Sequence, residues 1–479
     1  MGTLKKNFFY AFGAQGLHFV QSVLWSMLIP KLLGVEEFGY WQLFIFYTQY
    51  GGFLHFGLID GIYLREGGKE YRQLDYSSLG YQLRMFSIWQ ILILLVFVYI
   101  GLINVTPART YTILASCLFI FLSNIMSFLM YVLQAVNDIK SVALGKILMT
   151  LFFVAFTVFL LGFRITHFEP YIICYIISNI ACEIYYIAKS KEIVKAVFVS
   201  SKASYRVEMM QNVKMGIVLL LANICGMLIL GYGRFLVDQT WGIKSFAVVS
   251  FAFMFVNFFM TFVMQASLVL FPELKRWDVT KVNAFYIKMR GVLALYLPMV
   301  LLLYMPIYYF VQFWLPQYLE SVKYLLYLMP LCIFNSFADI LPLCIFDTKM
   351  NLLCNTLFKV FNQVRQLLLC NLIALFCSVC AISISIFYFN SLKAVIISML
   401  LSIAVRSVVA EVLLAKSVGV KNIGKNIIGE LILIFFFVIM NSYMNVITSF
   451  AVYLIVMMFY FIYEHRMRLM KSIIKGTRL

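Results

Sequence analysis

Charge is what this chain has least of. Asp, Glu, Lys and Arg together make up 12% of its 479 residues, only 20 residues are acidic, and 63% are hydrophobic. The mean hydropathy is +0.94. A water-soluble globule needs a charged shell around its core, so that class is excluded and a polytopic membrane protein remains. Motifs for chemistry are missing too: there is no His-Glu-x-x-His, Walker or Gly-x-Ser-x-Gly pattern. Loops on the outer side are short, which leaves no domain to hold paired catalytic carboxylates, so an enzyme is not expected. Neither a metal site nor a cofactor is expected. The net charge of +18 is not carried on a soluble basic module interleaved with aromatics, which argues against a nucleic-acid partner. No small-residue cleavage site follows the first apolar run, which starts near Phe8 after Lys5 and Lys6 and reaches Ile29 before Pro30-Lys31. That run is expected to be a genuine first span.

What the chain does have is long apolar runs. A helix needs about 20 apolar residues to cross the hydrocarbon, and every backbone amide there must be bonded within a helix or a closed barrel. Runs such as IWQILILLVFVYIGLI (88–103) and ELILIFFFVIM (430–440) do not alternate as barrel strands would, so the expected fold is an all-α bundle. Fourteen spans are predicted, near 8–30, 40–63, 83–104, 111–134, 143–163, 169–188, 213–234, 243–271, 291–314, 323–346, 367–389, 392–415, 428–444 and 447–464. On this map most Lys and Arg lie at the two termini and in alternate loops, for example Lys189, Lys191, Lys195, Lys202, Arg206 and Lys214. Both termini are therefore expected in the cytoplasm, and anionic lipid headgroups are expected partners. The ten cysteines sit almost entirely within apolar runs, and Cys377-x-x-Cys380 lacks His or acidic companions; it reads as a pair of small helix-packing residues.

The stretch IPKLLGVEEFGYWQ (29–42) has an echo in YGRFLVDQTWGIKS (232–245). An offset of 203 puts Lys31 on Arg234, Leu33 on Leu236, Glu36 on Gln239, Phe38 on Trp241 and Gly39 on Gly242. Each copy is expected to join two successive spans. Asp138-x-Lys140 after the fourth span and Asp347-x-Lys349 after the tenth form a second echo, at an offset of 209. Both fit a duplication. The expected organisation is a six-helix lobe over residues 1–188, a cytoplasmic linker at 189–212, a second six-helix lobe at 213–415, related to the first by a pseudo-two-fold, and two extra helices with a basic tail at 416–479.

Polar groups at bilayer depth are costly and normally face a cavity or a partner. In the first span Gln15, His18, Ser22, Trp25 and Ser26 recur every three or four residues, hence on one face. They can line a cavity or act as interhelical glue. In the second, Gln42, Gln49 and Asp60 fall on one line and Trp41, Thr48 and His55 on the adjacent one, a mix of hydrogen-bonding and aromatic groups that suits a sugar. Arg406 lies about 15 Å inside its helix, from the rise of 1.5 Å per residue, and its fork suits phosphate; the alternative is an ion pair with Asp339 or Glu411. Lys31 and Arg234 are placed at the outer ends of their helices, as gate residues or interface anchors. Asp60, Glu183, Asp339 and Glu411 are the carboxyls embedded within spans, away from their first turns, hence candidates for ion coupling or for structural pairing.

KLLGVEEFGYW (31–41), GLIDGIYLREGG (57–68), GRFLVDQTWG (233–242) and LVLFPELKR (268–276) together resemble the corresponding parts of Wzx-type polysaccharide flippases of the multidrug/oligosaccharidyl-lipid/polysaccharide exporter superfamily. Gly233 stands where such families often carry an acid before the Arg. The resemblance implies two six-helix lobes around a central cavity lined by spans 1, 2, 7 and 8, in the inner membrane of a bacterium. It also implies alternating access that turns a lipid-diphosphate-linked glycan, such as an O-antigen or capsule repeat unit, to the outer leaflet. Proton or sodium coupling and partnership with a polysaccharide polymerase and chain-length machinery are further implications. A small-molecule exporter of the same superfamily is the competing expectation, and a membrane polymerase a third.

Overall fold

In a computed structural model of the chain, the described residues are 28–67, 69–103, 106–198, 202–274, 277–315, 340–361, 363–419 and 424–476. The first span lies almost wholly outside them, as does most of the tenth. Among the described residues every regular element is a helix, and nine helices are long and apolar enough to cross a membrane. The chain is a multi-pass, all-α membrane protein.

The helices are α1 (Val35–Gly51), α2 (Leu58–Glu66), α3 (Tyr76–Ile103), α4 (Pro107–Ala135), α5 (Ile139–Gly162), α6 (Glu169–Lys189) and α7 (Ala203–Leu274). There follow α8 (Val279–Tyr296), α9 (Tyr304–Trp314), α10 (Leu343–Thr348), α11 (Asn355–Val360), α12 (Val364–Phe387), α13 (Leu392–Val418), α14 (Gly424–Tyr443) and α15 (Val446–Gly476). Helix starts follow local chemistry. Pro107 and Pro170 occupy first-turn positions where a missing N–H costs nothing, and the Asp138 carboxylate accepts the Ser141 N–H to cap α5.

Two compact units emerge. Unit 1 holds residues 1–224 and 243–247, unit 2 holds 225–242 and 248–479. The core of unit 1 gathers Leu58, Phe86, Phe128, Leu129 and Tyr186; that of unit 2 gathers Ile229, Phe253, Leu301, Ile345, Met399 and Phe437. The exposed sides of the long helices are apolar instead, with Leu95, Val96 and Tyr99 of α3 and Phe376 and Phe387 of α12 more than 50% exposed. A lipid solvent makes that distribution stable.

Two expectations need correction. The second span is not one helix over 40–63: α1 ends at Gly51, a 3-10 turn covers Gly52–His55, and Phe56 and Gly57 are left-handed, with φ of 49° and 77°. Spans seven and eight meet at a kink within α7, where Gly242 alone leaves helical geometry, at φ 79° and ψ −179°; two helices join there, inside the stretch 232–245. Helix also covers 203–212, within the stretch assigned to the linker, and the two units divide at Ile224/Cys225. Lastly, Asp347-x-Lys349 does not end its helix, because α10 continues through a π-helical segment, Lys349–Cys354, into α11, whereas Asp138 is the N-cap of α5. The two Asp-x-Lys echoes are therefore not conformationally equivalent.

Candidate functional site: a broken helix and buried ion pairs

The second span breaks where its glycines are. Gly51 and Gly52 are poor helix formers, each worse than Ala by about 1 kcal/mol, and Gly57 tolerates a positive φ that a side chain resists. A break inside a membrane exposes backbone groups that lipid cannot satisfy. Here neighbouring amides do so. Gln90 on α3 donates to the Leu54 carbonyl at 2.7 Å, and Asn124 on α4 donates to the Gly51 carbonyl at 3.1 Å and to Gln90 Oε1 at 2.8 Å. The Gly57 N–H is used as well, donating to Nδ1 of His55 at 3.1 Å. Gln90 and Asn124 are each buried. Neither is among the candidates drawn from the sequence, although lone amides within apolar runs were the available signal.

α2 then packs on the first part of α7 with the backbones in close approach at two glycines. A Cβ on Gly61 would overlap the Asn212 carbonyl, and one on Gly57 would sit 2.7 Å from the backbone of Gly216. Such close approach of small residues is the usual way helices associate in lipid. It sets Asp60 beside a cavity of about 240 Å³ lined by His55, Asp60, Ser127, Tyr131 and Asn223. His55 Nε2 lies 3.9 Å from Asp60 Oδ2, within ion-pair reach and beyond direct hydrogen bonding. The arrangement offers one carboxylate, one imidazole, a phenol, a hydroxyl and an amide, a set able to hydrogen-bond a polar ligand and to exchange protons.

Other residues of this span go elsewhere. Gln49 is exposed and Thr48 bonds the Ile45 carbonyl. Trp41 is fully buried against Phe44, Phe153 and Tyr175, and because the helix ends at Gly51 the expected polar line through Gln42, Gln49 and Asp60 does not run straight across the break. Lys31 is exposed in the single turn Ile29–Leu32. Gln15, His18, Ser22, Trp25, Ser26 and Asp339 lie outside the described residues.

Unit 2 pairs its charges internally. Arg406 on α13 donates through Nε to Asn371 Oδ1 at 2.8 Å, and its Nη1 lies 3.5 Å from Asp347 Oδ1. The expected alternative partner Glu411 is engaged elsewhere. Arg290 Nε meets Glu411 Oε2 at 2.9 Å while its other two nitrogens clasp Glu430, and Lys349 Nζ approaches both carboxylates. All four side chains of this quartet are at most 2% exposed. Two cations and two anions cancel, which is what makes burial tolerable; Lys349 also lies 5.2 Å from the centre of the Phe346 ring. Glu411 is thus an ion-pair member. Arg234 does not end its helix: it is buried within α7, donates to Ser250 Oγ at 2.9 Å and lies 5.8 Å from the Phe253 ring. Glu183 is buried on α6, and no hydrogen bond or ion pair ties it to another described side chain.

Two smaller groups lie away from these sites. At the surface of unit 1, Glu37, His167 and Glu169 bring potential ligand atoms within 4.8 Å of one another; no spacing motif links these three. Cys377 and Cys380 are both free thiols on α12, and Cys380 is exposed rather than packed between helices.

No protein-family model matches the sequence, and no curated protein matches it at the level of sequence. Solved structures do match. A lipid II flippase, MurJ, in an inward closed conformation superposes with a TM-score of 0.63 at 13% identity, over 98% of this chain and 99% of that one. An inward-facing multidrug resistance MATE family transporter of the MOP superfamily gives a TM-score of 0.62 at 11% identity, covering 83% and 94%. A MOP superfamily transporter from Pyrococcus furiosus, described as having a binding pocket of reversed polarity, gives 0.52 at 10% identity, covering 86% and 93%. The chain has the fold that these MOP superfamily transporters share.

Proposed function

We propose that the chain is a flippase that carries a lipid-diphosphate-linked oligosaccharide across the bacterial inner membrane by alternating access, with both termini in the cytoplasm. The observation that carries this reading is the transporter fold over nearly the whole length, in which one span is broken around a polar cavity at residues 52–60. Broken helices within transporters characteristically hold substrate or coupling ions. The glycan and its diphosphate are favoured by the sequence motifs, by the near-complete overlap with a lipid II flippase and by the excess of basic over acidic residues. Anionic lipids, a polymerase and chain-length machinery are the partners this reading calls for. Arg406 serves the diphosphate only by leaving Asp347, so its phosphate role is the more demanding part of the proposal. Lys31 and Arg234 remain the other candidate cations, and His18 with its neighbours on the first span the candidate sugar contacts.

A small-molecule exporter is the second reading. It is favoured by the Asp60 carboxylate among Phe53 and Tyr131 in the unit 1 cavity, a combination that attracts organic cations, and by the likeness to a MATE transporter. One preparation tests both. Protein reconstituted into vesicles carrying lipid-diphosphate saccharides should render more of them accessible on the far side than protein-free vesicles do. Equal accessibility with and without protein, together with uptake of an organic cation, would replace the first reading with the second.

A further inference from the structure

We propose that His55 is a proton-binding site whose occupancy changes the backbone of the broken second span. In the neutral ring Nδ1 accepts the Gly57 N–H at 3.1 Å, so the lone pair is on Nδ1 and the ring proton is on Nε2, which faces Asp60 Oδ2 at 3.9 Å. An imidazolium has two N–H donors and no acceptor. Uptake of one proton at Nδ1, from water in the adjoining cavity, therefore forms an N–H bond that faces the Gly57 N–H and ends the hydrogen bond between them. The ring must turn, and the carboxylate of Asp60 is within reach to receive it.

The backbone then has to reorganise. Gly57 is buried, and an unsatisfied buried N–H is costly. Its helical acceptor would be the Phe53 carbonyl four residues back, which in the broken span accepts the Phe56 N–H instead, at 3.2 Å. Handing that carbonyl to Gly57 rewinds the turn toward α-helix and releases Phe56 from its left-handed conformation at φ 49°. Protonation at one side chain is thereby converted into a change in the course of a span.

The helices around the cavity that His55 lines each bring a group to it or to the broken turn. α2 contributes Asp60, α4 contributes Ser127 and Tyr131, and α7 contributes Leu220 and Asn223; α3 contributes Gln90, committed to the Leu54 carbonyl. Among the described residues, Asp60 is the one carboxylate and Tyr131 the one phenol lining this cavity, and no Lys or Arg lines it. As a means of coupling a proton gradient to transport, this inference rests on the transporter reading; as a switch, it does not.

The neighbour Trp89 supplies a transport-independent readout, since its ring meets Phe56 edge-on with centroids 5.4 Å apart. In purified full-length protein titrated from pH 8 to pH 4, the Trp89 component, defined by subtracting the Trp89→Phe variant, should change emission in a one-proton transition. His55→Asn retains an acceptor close to the Nδ1 position and cannot be protonated there, so it should hold the high-pH emission throughout. Asp60→Asn should displace the midpoint by about one pH unit. A transition that persists unchanged in His55→Asn, or a flat Trp89 signal in the wild-type protein, would overturn the proposal. An unmoved midpoint in Asp60→Asn would overturn the pairing with Asp60. Vesicles that show no transport while the Trp89 transition survives would count against the transporter reading alone.

Discussion

Asp347 and Arg406 face each other at 3.5 Å inside unit 2, on α10 and α13, with Asn371 of α12 holding the guanidinium from the side at 2.8 Å. Three helices meet at one cation. Gly226 of α7 makes room for it, because a Cβ there would lie 3.1 Å from Arg406 Nη2.

That geometry separates a structural from a substrate role. Arg406→Ala leaves the half-buried Asp347 carboxylate without its cation and should destabilise unit 2 by up to about 3–5 kcal/mol, read as a lower unfolding midpoint in detergent. Arg406→Leu combined with Asp347→Leu removes both charges and should recover most of that loss. If the double variant is stable and still transports, Arg406 is structural; if it is stable and inactive, the charge serves the substrate.

The quartet makes a similar prediction for the C-terminal helices. Glu430→Gln leaves Arg290 and Lys349 sharing the single carboxylate of Glu411, an uncompensated buried charge that should cost about 3–5 kcal/mol. Adding Lys349→Met restores the balance as one Arg290–Glu411 pair. Thermal unfolding of the single and double variants measures the coupling, and additive losses would mean that the four residues do not act as one network.

The break in the second span depends on amides that accept and donate in pairs. Gln90→Leu should leave the Leu54 carbonyl unpartnered and cost about 1–3 kcal/mol. Hydrogen exchange should rise locally over 51–57, with α12 and α13 unaffected; uniform protection across the second span would contradict the role assigned to Gln90.

Gly61 and Asn212 set how closely α2 approaches α7. Gly61→Ala should force the helices apart at a cost of about 1–3 kcal/mol and impair transport by moving Asp60 away from His55. Gly162→Ala is the control: it lies at the end of α5, where an added methyl would meet no atom within 4 Å, and should be neutral or stabilising by up to about 1 kcal/mol. Equal stabilities for the two variants would show that the α2–α7 contact is looser than these backbones suggest.

The residues that carry function were legible to different degrees. Asp60 and His55 stood out because polar side chains within apolar runs are expensive. Their meeting did not, since on an uninterrupted helix residues five apart fall on different faces. The glycines at 51, 52 and 57 were available as a signal, but a hydropathy window averages over them. Arg406 is recognisable as buried, yet its partner is not: Asp347 lies 59 residues away, in a span whose continuation past Thr348 the apolar pattern does not reveal. Arg290, Lys349 and Glu430 fall near predicted helix ends and loops, where charge is ordinary.

By itself, the sequence determined that the chain is a bundle of membrane-crossing helices, because long uncharged runs have no other stable form in lipid and water cannot reach their backbone amides. Several observed helices accordingly begin and end within a few residues of the predicted spans, as α6 does at Glu169–Lys189. Only the tertiary structure decided where a span breaks and which charges pair. Those outcomes depend on groups brought from distant helices to satisfy freed carbonyls and cancel buried charge, and no local pattern records the distances between them.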